Sequence, residues 1–199
     1  MKVNIKITVC VILLLNLISC KGIKNTISDE EIYNFINVVL TDLSSDYKKC
    51  DAISDKTLTT IDGNHIPIPG VKYDSSKTIK HLADYGYIDS SDVNFILQQQ
   101  CDSTFRLDQD KINKRLLKHV QIDSIFNLEN DLGYEVLRDS LGIKCYGYIS
   151  KPLFSKDRNT VLISFEWFKG YLYGQGSILI FKKRIGVWKL EQVIGTWES

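Results

Sequence analysis

The spacing of apolar residues changes once along this chain, at Gly142. Before that point apolar residues recur at intervals of three and four, which is the period of a helix with one buried face. After it apolar and polar residues alternate, and Val, Ile, Tyr, Phe and Trp become frequent, as in half-buried strands. Helices first and strands last is typical of an α+β fold. The sequence therefore predicts a single α+β domain over residues 28–199, mainly helical over 28–142 and an antiparallel sheet over 143–199.

The first half of the chain predicts helices with recognisable ends. Ser28 and Glu31 form a capping box, and the apolar residues from Ile32 to Leu43 then follow at helical spacing. Serines that can act as caps precede two later helices. Gly86 and Gly142 fit helix ends, because glycine tolerates the left-handed backbone found there. The further predicted helices are residues 76–85, 91–100, 110–119 and 128–141.

The remaining segments predict strands and one long loop. Residues 53–61 fit a strand, whereas residues 63–70 contain two prolines and two glycines and are expected to form a loop. Short turns join the strands of the second half, which indicates an antiparallel meander whose helices cover one face of the sheet. The strands predicted there are residues 143–150, 160–168, 171–183 and 187–197.

An apolar run of a different kind opens the chain. Lys2 and Lys6 precede apolar residues 9–15, and Leu17-Ile18-Ser19-Cys20 closes the run. A positive start, a short apolar stretch and a small residue before a cleavage point are the parts of a secretory signal. The alternatives are an ordinary cleaved signal and an uncleaved membrane helix. A membrane helix needs about 20 apolar residues, and polar residues interrupt this run.

The closing motif resembles the lipobox of bacterial lipoproteins, in which the cysteine after the cleavage point carries a lipid. The resemblance implies a signal peptide over residues 1–19, an acylated Cys20 and a tether over residues 20–27. It also implies a location in the bacterial cell envelope, at the outer membrane, with the lipid bilayer as a partner. Two or three acyl chains would hold the protein stably, since each buried CH₂ contributes about 0.8 kcal/mol.

Loss of residues 1–19 changes the charge balance of the chain. The full sequence has 25 basic and 24 acidic side chains, and removal of Lys2 and Lys6 leaves 23 basic against 24 acidic. The charges are interspersed and form no basic footprint, so a nucleic acid is excluded as a partner. A hydrophobic content of 44% is enough for a substantial core.

Three cysteines remain, namely Cys50, Cys101 and Cys145, once Cys10 is removed and Cys20 takes the lipid. Disulfides persist in exported proteins, and an odd count leaves one cysteine unpaired or bridging to another chain. Cys50 with Cys101 is the preferred pair, because both lie near predicted helix ends. Cys145 fits a small buried side chain within a strand. No cysteine and histidine cluster has metal spacing, so no metal or other cofactor is predicted.

The last 60 or so residues carry a second resemblance. They are similar to a recurring, uncharacterised domain of exported bacterial proteins. The matching segments are Ser150-Lys151-Pro152-Leu153-Phe154-Ser155, Gly174-Gln175-Gly176, Phe181-Lys182-Lys183, Gly186-Val187-Trp188-Lys189 and Trp197-Glu198-Ser199. The resemblance implies a strongly curved sheet with Trp188 packed inward, and it assigns no catalytic residue. A looser likeness to the cone-shaped folds of the nuclear transport factor 2 type implies a pocket, although such an analogy of topology says little about function.

Glu166 is the strongest candidate for chemistry. It lies in the strand predicted over residues 160–168, on the face opposite a wholly apolar one. The favoured interpretation is that its face meets solvent and that Glu166 pairs with a lysine. If that face instead lines a pocket, Glu166 is a desolvated carboxylate suited to binding or catalysis. Tyr171, Tyr173 and Gln175 of the next strand would then be ligand-binding residues beside it.

Two other groups of residues carry weaker signals. Gly170, Gly174 and Gly176 lack the strand-to-helix context of a phosphate loop. They fit instead a turn, a bulge or the approach of a bulky neighbour. None of the histidines has a partner at metal spacing. They are His65, His81 and His119.

These observations predict a non-enzymatic binding or interaction module at the cell envelope, whose partner is an envelope protein or a small ligand. Two alternatives stay open. One is a hydrolytic enzyme with Glu166 as general acid or base, and the other is an immunity-type envelope protein. A cavity that contains Glu166 and a tyrosine would favour ligand binding or catalysis, whereas a filled sheet with an exposed apolar patch would favour a protein partner.

Overall fold

The fold combines helices with one mixed sheet. The computed structural model describes residues 27–42, 50–58, 75–100, 105–126, 132–170 and 173–198. Within these ranges the α-helices are α1 (Asp29–Asp42), α2 (Ser75–Asp84), α3 (Val93–Gln99), α4 (His119–Phe126) and α5 (Leu132–Glu135), which continues as a π-helical turn over Val136–Ser140. Short 3₁₀ helices lie at Ser90–Asp92 and Gln109–Lys111. The strands are β1 (Ala52–Ser54), β2 (Arg115–Leu117), β3 (Tyr146–Ile149), β4 (Leu153–Phe154), β5 (Thr160–Phe168), β6 (Gly174–Arg184) and β7 (Val187–Glu198).

The described strands form one open sheet. Its order is β2-β1-β3-β5-β6-β7, and the short β4 pairs with β5. β5, β6 and β7 form the predicted antiparallel meander, and β3 is antiparallel to β5. β1, in contrast, runs parallel to both β2 and β3. The α+β class is confirmed, whereas β1 and β2 correct the expectation of a wholly antiparallel sheet that begins only after the helices.

Helices cover both faces of the sheet, not one as predicted. The apolar stripe of α1 packs on the face formed by Val161, Ile163 and Phe165 of β5. On the opposite face, α2 and α3 pack against Leu162 of the same strand. α4 and α5 pack further along that face, beside Tyr146 of β3. Full burial of one such side chain stabilises the fold by about 1.5–3 kcal/mol, so alternate residues of β5 hold two separate layers together.

Three predicted helix ends are confirmed. Ser28 Oγ accepts the backbone N–H of Glu31 at 3.2 Å, where α1 begins. Gly86 follows α2 with a φ of 73°, and Gly142 follows the π-helical turn with a φ of 67°. These left-handed residues let the next amide donate back to the last helical turn. Local sequence is therefore sufficient to end these helices.

The helix predicted over residues 110–119 is wrong. The Gln109 side chain accepts the backbone N–H of Leu116 at 2.7 Å and donates to the carbonyl of Lys114 at 3.0 Å. Such bonds satisfy the backbone without a helix, and β2 then pairs with β1. The helix begins later, at His119, as α4.

A disulfide joins Cys50 to Cys145, with their Cα atoms 4.5 Å apart. The predicted pairing of Cys50 with Cys101 is therefore corrected. Ala52 of β1 pairs with Tyr146 of β3 in parallel register, so the residues that precede the two strands also lie side by side. Parallel pairing of β1 and β3 is what brings the two sulfur atoms together.

Several predicted features lie outside the described residues. They are the signal and lipobox with Cys20, the proline loop over residues 63–70, Cys101 and Tyr171. Among the helices that the structure describes, none combines the length and the apolar character needed to cross a bilayer.

Candidate functional site

Four positions form a row across the sheet on the face of Glu166. Tyr148 pairs with Glu166, Glu166 with Gly176, and Gly176 with Trp197, across β3, β5, β6 and β7. Directly paired residues share a face of a sheet. Because Gly176 has no side chain, the Trp197 indole reaches across β6, and its Nε1 donates to Glu166 Oε1 at 3.1 Å. Glu166 is 1% exposed, so the favoured solvent-facing interpretation is wrong.

Gly174 gives the same indole its space. A Cβ atom at Gly174 would lie 2.9 Å from Trp197 Cη2 and 3.0 Å from Phe168 Cδ1. The interpretation of this glycine as a place for a bulky neighbour is confirmed. The register between β6 and β7 also shifts between Gly176 and Ser177, as the predicted bulge requires. These glycines therefore make room for Trp197 beside Glu166 rather than forming a phosphate loop.

Aromatic rings surround the Glu166 carboxylate. Tyr146 stacks on Phe168 with ring centroids 5.4 Å apart, and Tyr148 meets both rings edge to face. The Trp197 ring also packs against Phe168, with ring centroids 5.4 Å apart. Burial raises the pKa of Tyr146 well above its ordinary value, and the neighbouring Tyr134 and Tyr148 raise it further. The phenol of Tyr146 is therefore neutral at physiological pH and can act as a hydrogen-bonding group without adding charge.

Glu166, Tyr146, Tyr148 and Phe168 border a cavity of about 230 Å³. Ligand pockets for drug-sized molecules span about 300–1,000 Å³, so this cavity suits a smaller molecule. Within the described ranges no group of three or more His, Cys, Asp or Glu residues is placed to hold a metal ion. The cavity is lined by Lys56, Thr57, Leu58, His119, Tyr146, Tyr148, Glu166 and Phe168.

A second carboxylate orients the histidine of this cavity. Asp55 is buried, and its Oδ1 accepts the backbone N–H of His119 at 2.7 Å, at the positive end of α4. The same oxygen lies 3.1 Å from His119 Nδ1, while Arg106 Nη1 lies 3.3 Å from that nitrogen. Nδ1 cannot donate to Asp55 and accept from Arg106 at once, and the shorter contact favours donation to Asp55. Nε2 is then the ring nitrogen able to accept a proton.

The structure brings together only part of the predicted site. Glu166 lies in a pocket wall, whereas Tyr173 is 50% exposed and packs against Trp167. Gln175 pairs with Trp167, which lies on the α1 face of the sheet. Tyr173 and Gln175 are not among the residues that line the cavity, and Tyr171 lies outside the described residues.

Sequence reasoning missed three contributors to the site. Trp197, whose indole donates to the carboxylate, is predicted only as the end of the last strand and as part of the second resemblance, with no role at a site. Asp55 and His119 were not linked, because they lie on separate elements that meet only when β1 and β2 pair. One signal was accessible, since Trp197, Gly176 and Glu166 share a face once the β5–β6 and β6–β7 registers are assumed.

Comparison of the chain with protein-family models, with curated proteins and with solved structures found no match.

Proposed function

We propose that this protein is a lipoprotein of the bacterial cell envelope, held at the outer membrane by acylated Cys20, and that its folded domain binds a small organic cation. The lipobox motif supports the anchor. The binding role is supported by one observation above all: a buried Glu166 carboxylate in the wall of a small, aromatic-lined cavity. A carboxylate in the wall of a poorly solvated cavity is the group that a positively charged ligand would meet there, and such groups are candidates for functional sites.

The surroundings of Glu166 favour a positively charged ligand group. A protonated amine beside the carboxylate would gain an ion pair in a poorly solvated site. The aromatic rings of Tyr146, Tyr148 and Phe168 also line the cavity, and a ring with its face open to the amine would add cation–π attraction. The cavity also borders Lys56, but that side chain is exposed and its charge remains hydrated. An aliphatic or aromatic amine small enough for about 230 Å³ fits this arrangement.

A strongly curved, cone-like sheet is part of the same proposal. The β6–β7 register shifts twice, between Gly176 and Ser177 and between Ile180 and Phe181. Bulges of this kind bend a strand and increase its twist. Curvature near Gly176 would make the Glu166 face concave and so contribute to the cavity.

Calorimetric titration with small protonated amines and with neutral molecules of the same shape tests the binding role. Wild-type protein should bind the amine and not its neutral counterpart. Glu166→Gln keeps the shape and removes the charge, and should weaken amine binding at least about tenfold, or 1.4 kcal/mol. Glu191→Gln is the matched control, because Glu191 pairs with Arg184 in the β6–β7 hairpin and does not line the cavity. Equal amine affinity in the two variants would contradict the proposal.

The Asp55–His119 pair supports a second candidate function, acid–base catalysis on the bound molecule. A histidine whose Nδ1–H is held by a carboxylate presents Nε2 as a base, and His119 shares the cavity with Glu166. Incubation of the protein with envelope extract, followed by mass spectrometry, should then show one small molecule consumed by wild type and not by His119→Asn. Binding without consumption would leave a pure binding protein.

The anchor is tested independently by Cys20→Ala. This variant should lose acyl labelling and move from the membrane to the soluble fraction. Unchanged fractionation would contradict lipidation at Cys20 without bearing on the cavity.

A further inference from the structure

The turn between β6 and β7 exposes an apolar residue in an unfavourable backbone conformation. Ile185 is fully exposed and has a φ of 53°, and Gly186 follows it with a φ of 78°. Two-residue turns of this kind favour Asn-Gly, whereas a β-branched residue at positive φ is strained. Val187, next in the chain, is 57% exposed. Nothing in the packing of the described residues explains an apolar pair at this position.

Basic residues flank this apolar pair on both sides. The hairpin tip, residues 182–189, contains Lys182, Lys183, Arg184 and Lys189 and has no acidic residue. Arg184 pairs with Glu191 at 2.7 Å, and Lys183 Nζ lies 5.3 Å from the centre of the Trp188 ring. An apolar tip, a tryptophan and a ring of lysine and arginine match the chemistry of a bilayer surface with anionic headgroups.

The hairpin tip lies beside α1. The Trp188 ring packs edge to face on Phe35 of α1, with centroids 5.1 Å apart. Ser28, Lys183 and Trp188 border one groove of about 310 Å³. The chain therefore enters the described domain next to the hairpin tip. The acidic first turn of α1 borders the same groove, and its Glu31 is paired with Arg158 at 3.0 Å.

We infer that the hairpin tip docks on the phospholipid bilayer, with Ile185 and Val187 at the headgroup boundary and the basic residues against anionic headgroups. This orientation of the domain on the bilayer rests on the proposed lipid anchor at Cys20. Residues 20–27 span at most about 28 Å when fully extended, so a lipid on Cys20 keeps this end of the domain near the membrane. Docking there fixes one orientation of the domain on the bilayer.

Tryptophan quenching by lipids with brominated acyl chains tests the docking. Lipidated Ile185→Trp protein is titrated with vesicles of phosphatidylcholine and phosphatidylglycerol, and Val193→Trp is the matched control. Val193 is also exposed and lies on β7, away from the tip. Ile185→Trp should be quenched at least about twofold more than the control. Adding Lys182→Glu and Lys183→Glu to it, or omitting phosphatidylglycerol, should reduce that difference.

Equal quenching at the two positions, or quenching that ignores both lysines and anionic lipid, would overturn the docking. Membrane fractionation of the same preparations reports separately on the lipid of Cys20. If the protein leaves the membrane fraction but Ile185→Trp is still quenched at high vesicle concentration, only the lipid on Cys20 is rejected. If the protein stays in the membrane fraction but Ile185→Trp is quenched no more than Val193→Trp, only the docking is rejected.

Discussion

Replacement of Gly147 by alanine tests the contact that places β3 against β5. The added Cβ would lie 2.7 Å from the backbone oxygen of Glu166 and 3.1 Å from Phe165 Cζ. The first distance is shorter than real Cβ atoms show in contacts. A backbone oxygen cannot rotate away as a side chain can, so the two strands must move apart. Overpacking of this kind costs about 1–3 kcal/mol, and the backbone contact places Gly147→Ala near the upper limit.

At about 3 kcal/mol the melting temperature should fall by about 6–12 °C for a domain of this size. Gly147 lies between Tyr146 and Tyr148, so displacement of β3 should also weaken the proposed binding of an amine in the cavity. Urea unfolding followed by far-ultraviolet circular dichroism measures the loss of stability, and calorimetry measures the binding.

Gly195→Ala provides the control for this substitution. Gly195 lies in β7, and a Cβ there would meet no atom within 4 Å. Alanine costs less backbone entropy than glycine in a strand, so this variant should be neutral or more stable by up to about 1 kcal/mol. Substitutions at unconstrained surface positions usually change the free energy of unfolding by no more than about 0.5 kcal/mol. A change that small in Gly147→Ala would refute the packing argument, and so would an equal loss of stability in Gly147→Ala and Gly195→Ala.

Two further predictions concern covalent and pH-dependent stability. Reduction of the Cys50–Cys145 disulfide, whose partners are 95 residues apart, should lower the free energy of unfolding by about 4–5 kcal/mol in urea titrations; a mapped peptide joining either to Cys101 would contradict the pairing. The Ser155 hydroxyl and then the Asn159 backbone N–H lower the pKa of Asp157. The contribution of Asp157 to the free energy of unfolding is therefore present above the ordinary aspartate pKa of about 4 and is lost as pH falls through the lowered pKa. When the free energy of unfolding is measured against pH, Asp157→Asn should reduce its decrease at acidic pH. An unchanged decrease would contradict this assignment.

The features that the sequence predicted well depend on neighbouring residues. The cap at Ser28, the helix ends at Gly86 and Gly142, and the strands of the meander all follow from contacts within a few positions or across tight turns. β1 and β2 are three-residue strands whose partners lie far along the chain. Such short strands leave no periodic pattern in the sequence, so their pairing is not predicted. The Cys50–Cys145 disulfide depends on the pairing of β1 with β3 and is therefore not predicted either.

In the candidate site, too, features set by neighbouring residues were predicted and features set by distant strand pairing were not. Strand alternation correctly placed Glu166 on the face opposite the apolar one. Its burial depends on Trp197 reaching over Gly176 from β7, which requires two registers to be known. The same lack of register placed Gln175 on the wrong face, because it pairs with Trp167 and not with Glu166.

The two walls of the cavity differ in how they are built into the chain. Glu166 and Phe168 belong to a meander of consecutive hairpins, whereas Lys56, Thr57 and His119 follow β1 and β2, which pair only over long sequence separations. Parts of a protein can open locally without global unfolding. We expect the short strands β1 and β2 to open more often than the meander and so to exchange their amide hydrogens faster. Their excursion would uncover the cavity and leave the Glu166–Trp197 bond intact. The Cys50–Cys145 disulfide would limit how far β1 can move away from β3 during such an opening.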